Sequence, residues 1–94
     1  MFRHIVLFRF SDPEECIPVV REKLLALKSV IPEIVEMEFG ADELHTQRSF
    51  DAALIVTFRN EEDYRVYDEH PAHAEARKYI HAHRLESKTV DFHG

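Results

Sequence analysis

Two segments of this chain are apolar on both sides of a strand, and that limits its possible folds more than any other feature. Phe2–Phe10 presents Phe2, His4, Val6, Phe8 and Phe10 in one direction and Arg3, Ile5, Leu7 and Arg9 in the other. Ala52–Phe58 likewise sets Leu54, Val56 and Phe58 against Ala53 and Ile55. Strand side chains alternate between faces, and a sheet with one wet face shows polar residues at every second position. Both segments are therefore expected to be strands covered on both faces. With 94 residues, the chain has material for one domain, residues 1–94, and not for a second core.

The remaining elements follow from periodicity and punctuation. Asp12 reads as a helix cap, with Pro13 at the first helical position and Glu14 and Glu15 in the first turn. Pro18 lacks an N–H and clashes with the preceding turn, so residues 12–16 are expected to form a separate turn. The regular helix should then run from Ile17 to Ser29, with Ile17, Val20, Leu24, Leu27 and Ile31 as its apolar stripe. A second strand spans Ile34–Phe39 and closes at Gly40, and a polar loop or hairpin arm fills 40–50. Asn60 before Glu61, Glu62 and Asp63 starts another helix. His70-Pro71 breaks it, a further helix covers 72–83, and a last strand covers 86–92.

The order β-α-β-β-α-β predicts an α+β ferredoxin-like plait, a four-stranded antiparallel sheet with its helices on one face. The second sheet face then carries Val6, Phe8, Leu54, Val56 and Phe58, or the equally apolar alternative. Leaving such side chains wet forfeits about 1.5–3 kcal/mol each. A second copy of the chain, sheet against sheet, is the simplest cover, and predicts a homodimer with a cavity between the two sheets.

Charge and cysteine usage narrow the partners. Twelve basic against 18 acidic residues give a net charge of −6, which argues against nucleic-acid binding. No apolar run approaches the roughly 20 residues of a membrane span. The first residues lead straight into a strand, so no leader is expected. A single cysteine forms no internal disulfide, which fits a reducing cytoplasm.

The residues then resemble a known family. His4-Ile5-Val6-Leu7-Phe8, Ile31-Pro32-Glu33-Ile34 followed by Gly40, and Val56-Thr57-Phe58 match, in order and spacing, the stress-responsive A/B barrel (Dabb) domain. Tyr67-Asp68-Glu69-His70-Pro71-Ala72-His73 and the closing Val90-Asp91-Phe92 complete the match over nearly the whole chain. The resemblance implies a homodimeric α+β barrel. Many members are known only as stress-related proteins, whereas some plant members are polyketide cyclases that work through a tyrosine and a histidine. Those two fall on Tyr67 and His73, and a pocket histidine falls on His4. Where the cyclases carry an aromatic residue and a glycine, this chain has Ala76 and Arg77, and Arg84 replaces another aromatic residue. Arg77 suits an anionic ligand, so the cyclase substrate does not carry over.

The candidate site rests on these residues. His73, in the first turn of a helix begun by Pro71, is disfavoured as an imidazolium and serves as a base, or else hydrogen-bonds the kink. Tyr67 donates to a carbonyl oxygen, or packs at the helix edge with its hydroxyl in water. His4 sits among apolar groups with His73 or Asp91 as partner. The ligand-binding set comprises the strand residues Val6, Phe8, Leu54, Val56 and Phe58, with Tyr64, His70 and Arg77 beside them. His70, before a proline, also reads as the cap of the following helix. His4, His70 and His73 lack a carboxylate or cysteine at fixed spacing, so no metal is assigned, and no cofactor. His81 and His83 are expected in solvent, and Cys16, behind two glutamates, is not expected to be a nucleophile. Two functions stay open. One is a cofactor-free enzyme acting on a small carbonyl compound by proton transfer or cyclisation. The other is a non-catalytic stress-related or ligand-binding dimer, its cavity filled by Phe8, Phe58 and Tyr64.

Overall fold

A computed structural model describes all 94 residues, Met1–Gly94. The strands are β1 (Phe2–Phe10), β2 (Glu36–Ala41), β3 (Ala52–Phe58) and β4 (Arg84–His93). The helices are α1 (Pro13–Leu25), α2 (Glu61–Glu69) and α3 (Pro71–His83), with a 3-10 turn, Ala26–Ser29, extending α1. The sheet order is β2-β3-β1-β4, every pair antiparallel. This is the ferredoxin-like plait, and both doubly apolar segments are its central strands.

α1 departs from expectation. It begins at Pro13 and runs through Pro18 without a break. Pro18 forfeits one hydrogen bond, to the Glu14 carbonyl, and the backbone N–H groups of Glu15 and Cys16 are already held by the Asp12 carbonyl. Burial of Cys16, Val20 and Leu24 along one face outweighs that loss, so Cys16, not Ile17, heads the buried stripe. Asp12 occupies the cap position but its side chain does not cap. It accepts from His83 Nδ1 at 3.0 Å, which takes His83 out of free solvent. β2 starts two residues later than expected, at Glu36, while Ile34 is buried just outside it.

The two-part second helical region is as read. The Asn60 side chain accepts from Asp63 N at 2.8 Å to cap α2, and His70 Nδ1 accepts from Ala72 N at 3.0 Å to cap α3. His70 is extended (φ −68°, ψ 136°), the conformation a following proline favours.

The helices cover the face that carries Phe2, His4, Val6, Phe8 and Phe10 of β1 and Leu54, Val56 and Phe58 of β3. These side chains are the core of one protomer. The cavity expected between two sheets therefore cannot be lined by Val6, Phe8, Leu54, Val56 and Phe58, and both apolar faces of β1 could not be told apart by hydropathy alone. The uncovered face has an apolar middle of Ile5, Leu7, Ala53, Ile55, Val90 and Phe92, bordered by Arg3, Arg9, Glu36 and Glu38. Leu7, Val90 and Phe92 are 38, 54 and 42% exposed.

Neighbouring residues at the end of the first helical layer separate packing from surface. Ile31 is 0% exposed and Val30 52%. Ile31→Ala is expected to lower unfolding free energy by about 2–5 kcal/mol through cavity formation. Val30→Ala should change it by no more than about 0.5 kcal/mol. Urea denaturation midpoints of the two variants check this.

Candidate functional site

A cavity of about 220 Å³ lies inside the protomer, between the sheet and helices α2 and α3. Its floor is Val6, Phe8 and Leu54, with Leu24 and Ile80 from the helices above. Register decides which polar groups join them. His4 stands opposite Asp91, Val6 opposite Thr89 and Phe8 opposite Ser87, so β4 contributes a polar row at every second position. Thr89 and Ser87 line the cavity directly.

His4 Nδ1 lies 2.5 Å from Asp91 Oδ1. A carboxylate can only accept, so Nδ1–H donates. This settles the partner of His4 as Asp91. Tyr64 leans on the His4 ring at 4.9 Å between centroids, and burial pushes its phenol pKa up, aided by Asp68 and Asp91.

Tyr67 is 0% exposed, and its hydroxyl has no hydrogen-bond partner. The hydroxyl is therefore not in water. Desolvation pushes its pKa well above the usual phenol value, so it stays a neutral donor. His73 stacks on Tyr67, centroids 4.2 Å apart and planes 24° from parallel. His73 Nδ1 donates to the Asp68 carbonyl at 3.3 Å, leaving Nε2 as an acceptor. Its pKa is lowered, first by burial and then by the nearby Arg77 charge, against the opposing pull of the Asp68 carbonyl and carboxylate.

The cavity mouth is charged. Arg77 Nη1 sits 3.5 Å from Asp68 Oδ1, and Arg84 and His81 complete the lip. Two arginines face one carboxylate there, so the mouth is net positive on a chain of net charge −6.

Of the residues singled out in the sequence, His4, Val6, Phe8, Leu54, Tyr64, Tyr67, His73 and Arg77 line this cavity. Val56 and Phe58 are fully buried core, and His70 spends Nδ1 on capping α3. His4, His70 and His73 do not gather their nitrogens. The one group of three metal-ligating side chains is Asp12, Cys16 and His83, elsewhere in the fold. Burial and the nearby Asp12 push the Cys16 thiol up to about 11, which keeps it from acting as a nucleophile. Arg84, noted in the sequence only as the replacement of an aromatic pocket residue, lines the cavity too, whereas Asp68, His81, Ser87 and Thr89 were not anticipated. Alternation of Ser87, Thr89 and Asp91 in the last strand was the signal available for two of them.

A model of the stress-responsive A/B barrel domain matches residues 2–93. The chain belongs to the stress-responsive A/B barrel family. Among solved structures, this A/B barrel domain is similar to a dimeric ferredoxin-like protein of unknown function from Thermobifida fusca, at 31% identity and TM-score 0.86. That alignment covers 97% of this chain and 88% of the other. A dimeric protein of unknown function from Bacteroides fragilis is 26% identical with TM-score 0.90, over 99% and 95% of the two chains. The A/B barrel fold also occurs in a hydroxynitrile lyase from Passiflora edulis, 21% identical with TM-score 0.84, over 97% and 90%. No curated protein matches at a significant level.

The His73 shift has a consequence for stability. Its folded pKa lies below the unfolded value of 6.5, so the unfolded chain binds more protons as pH falls. The stability held above pH 6.5 is lost as pH drops through the folded pKa. Thermal unfolding of the wild type should show Tm falling from pH 7 into the acid range, and His73→Asn should flatten that slope. An identical slope in both would refute the burial effect.

Proposed function

We propose that this A/B barrel domain is a homodimer in which each protomer catalyses cofactor-free proton transfer on a small, anionic carbonyl compound. The observation that carries the reading is the Tyr67 hydroxyl, buried at the cavity and bonded to no other group of the protein. An unsatisfied buried hydroxyl costs about 1–3 kcal/mol, and a carbonyl oxygen in the cavity would complete it.

In this reading His73 Nε2 takes a proton from the carbon next to the carbonyl. The C–H electron pair moves into the new C=C bond, the carbonyl electrons move onto oxygen, and Tyr67 O–H stabilises that enolate. The imidazolium then returns the proton to carbon or to a leaving oxygen. A lowered His73 pKa keeps the base neutral at pH 7. His4, held by Asp91, is placed to orient the substrate. The net positive mouth, led by Arg77, favours a carboxylate on the substrate. A cavity of about 220 Å³ is below the roughly 300–1,000 Å³ of pockets for larger ligands, so the substrate is small. The alternative, a binding protein without turnover, uses the same cavity. The packed-cavity version of it is less well supported, since Phe58 lies outside the lining and the space is open.

Dimerisation rests on the uncovered sheet face and on the dimeric relatives. Its apolar middle would be buried by a second copy, Ile5 and Ile55 against their equivalents, leaving the intra-protomer cavity free. Sedimentation should show a wild-type dimer at micromolar concentration. Ile55→Glu should give a folded monomer, and a wild-type monomer would defeat the pairing.

Activity is tested with small keto acids such as pyruvate and acetoacetate in D₂O, following loss of C–H signals by NMR. His73→Ala should slow enzyme-dependent exchange by about 10²–10⁴-fold. Tyr67→Phe should slow it by about 10²–10³-fold. If wild type and His73→Ala exchange equally while both remain dimers, proton transfer by His73 is excluded.

A further inference from the structure

A second cluster lies where the end of α3 meets the start of α1, apart from the cavity. Asp12, Cys16 and His83 bring one oxygen, one sulfur and one nitrogen within 4.8 Å of one another. We propose that these three side chains bind a zinc ion, or a divalent ion of similar affinity for sulfur, with water as the fourth ligand.

Three independent features converge there. First, Asp12 sits at a helix cap position yet turns its carboxylate away from the helix N–H groups, towards His83 Nδ1 at 3.0 Å. A capping aspartate normally accepts from those N–H groups, so this one serves another partner. Second, the donor set is that of a zinc site: thiolate, imidazole and carboxylate, with an open tetrahedral position. Tetrahedral ligand atoms around zinc stand roughly 3.2–3.7 Å apart, and the Nδ1–Oδ1 separation of 3.0 Å needs only a few tenths of an ångström of opening. Third, the junction is held by groups that are not ligands. Ser11 N donates to the His83 carbonyl at 2.9 Å, Ser11 Oγ donates to Asp12 Oδ1 at 3.2 Å, and Tyr79 packs on the His83 ring at 4.3 Å. Such outer contacts are what orient metal ligands.

Access fits as well. Cys16 is fully buried, while Asp12 and His83 are part-exposed, so an ion enters from their side and meets the sulfur last. On binding, the Cys16 thiol releases its proton to solvent and Sγ donates an electron pair to the metal. His83 binds as the neutral Nε2–H tautomer, its Nδ1 lone pair turning from the hydrogen bond with Asp12 to the metal. The ion would clamp α3, which carries His73 and Arg77, to the opening turn of α1.

Because Cys16 is the only cysteine in the chain, the test is spectroscopic. The reduced, chelator-treated full chain is titrated with cobalt(II). The expected result is a near-ultraviolet thiolate-to-cobalt charge-transfer band that saturates at one ion per chain and is displaced by zinc. Asp12→Asn and His83→Ala, each checked for folding by circular dichroism, should weaken cobalt binding at least tenfold. Cys16→Ser should abolish the band. No charge-transfer band in the wild type would overturn the proposal. So would a band whose affinity is unchanged in both His83→Ala and Asp12→Asn, since sulfur would then bind without its neighbours. Neither outcome depends on keto-acid exchange at the cavity.

Discussion

β1 is hydrogen-bonded along both edges, to β3 on one side and β4 on the other, and this double pairing governs nearly everything else. A strand paired on one edge can slip or twist. A strand paired on both cannot move one residue without turning every side chain to the opposite face. Such a slip would bring Ile5 into the cavity in place of His4 and put Arg3 and Arg9 into the core. Register with β4 then places Asp91 beside His4, Thr89 beside Val6 and Ser87 beside Phe8. The polar row that the sheet gives the cavity is thus a by-product of strand alignment, and no loop is needed to build it.

Much of the fold was legible because its strongest signals are local. β1 and β3 are long apolar runs bounded by turn residues, and the α2–α3 break is written in His70-Pro71. Pro18 misled because a local rule was overridden by tertiary burial of Cys16, Val20 and Leu24. The side of the sheet that the helices cover was not legible at all. Both faces of β1 are apolar, and the choice depends on the helical stripes and the β4 partners together. The cavity was consequently expected between sheets when it lies under the helices. Tyr67, His73 and His4 came from a family pattern and do meet at one cavity. Asp91 was weighed only as one of two partners for His4, because opposition across two strands 87 residues apart has no trace in spacing.

Polar groups inside this small core form an ordered series. His4 has Asp91, His73 has the Asp68 carbonyl, and the Tyr67 hydroxyl alone has no partner within the protein. In a domain this size, stability is a small difference of large terms, and an unmet hydroxyl of about 1–3 kcal/mol is a sizeable part of it. Packing alone would favour phenylalanine at position 67. Stacking on His73 does not require a hydroxyl, since the ring supplies it. Under the proposed function a carbonyl oxygen in the cavity would meet that hydroxyl, which would place the cost and the use of the group at the same atom.

The two faces of the sheet divide the work. Even-numbered residues of β1 supply core and cavity, and odd-numbered residues supply the apolar middle of the open face. Association through that face needs no change in His4, Val6 or Phe8, because neighbouring strand side chains point in opposite directions. Arg77, Arg84 and His81 lie on the lip, outside the register-bound floor, and can change without disturbing either packing surface. Charge at the mouth is thus free to vary while His4 on β1, Tyr67 on α2 and His73 on α3 keep their places in the cavity wall.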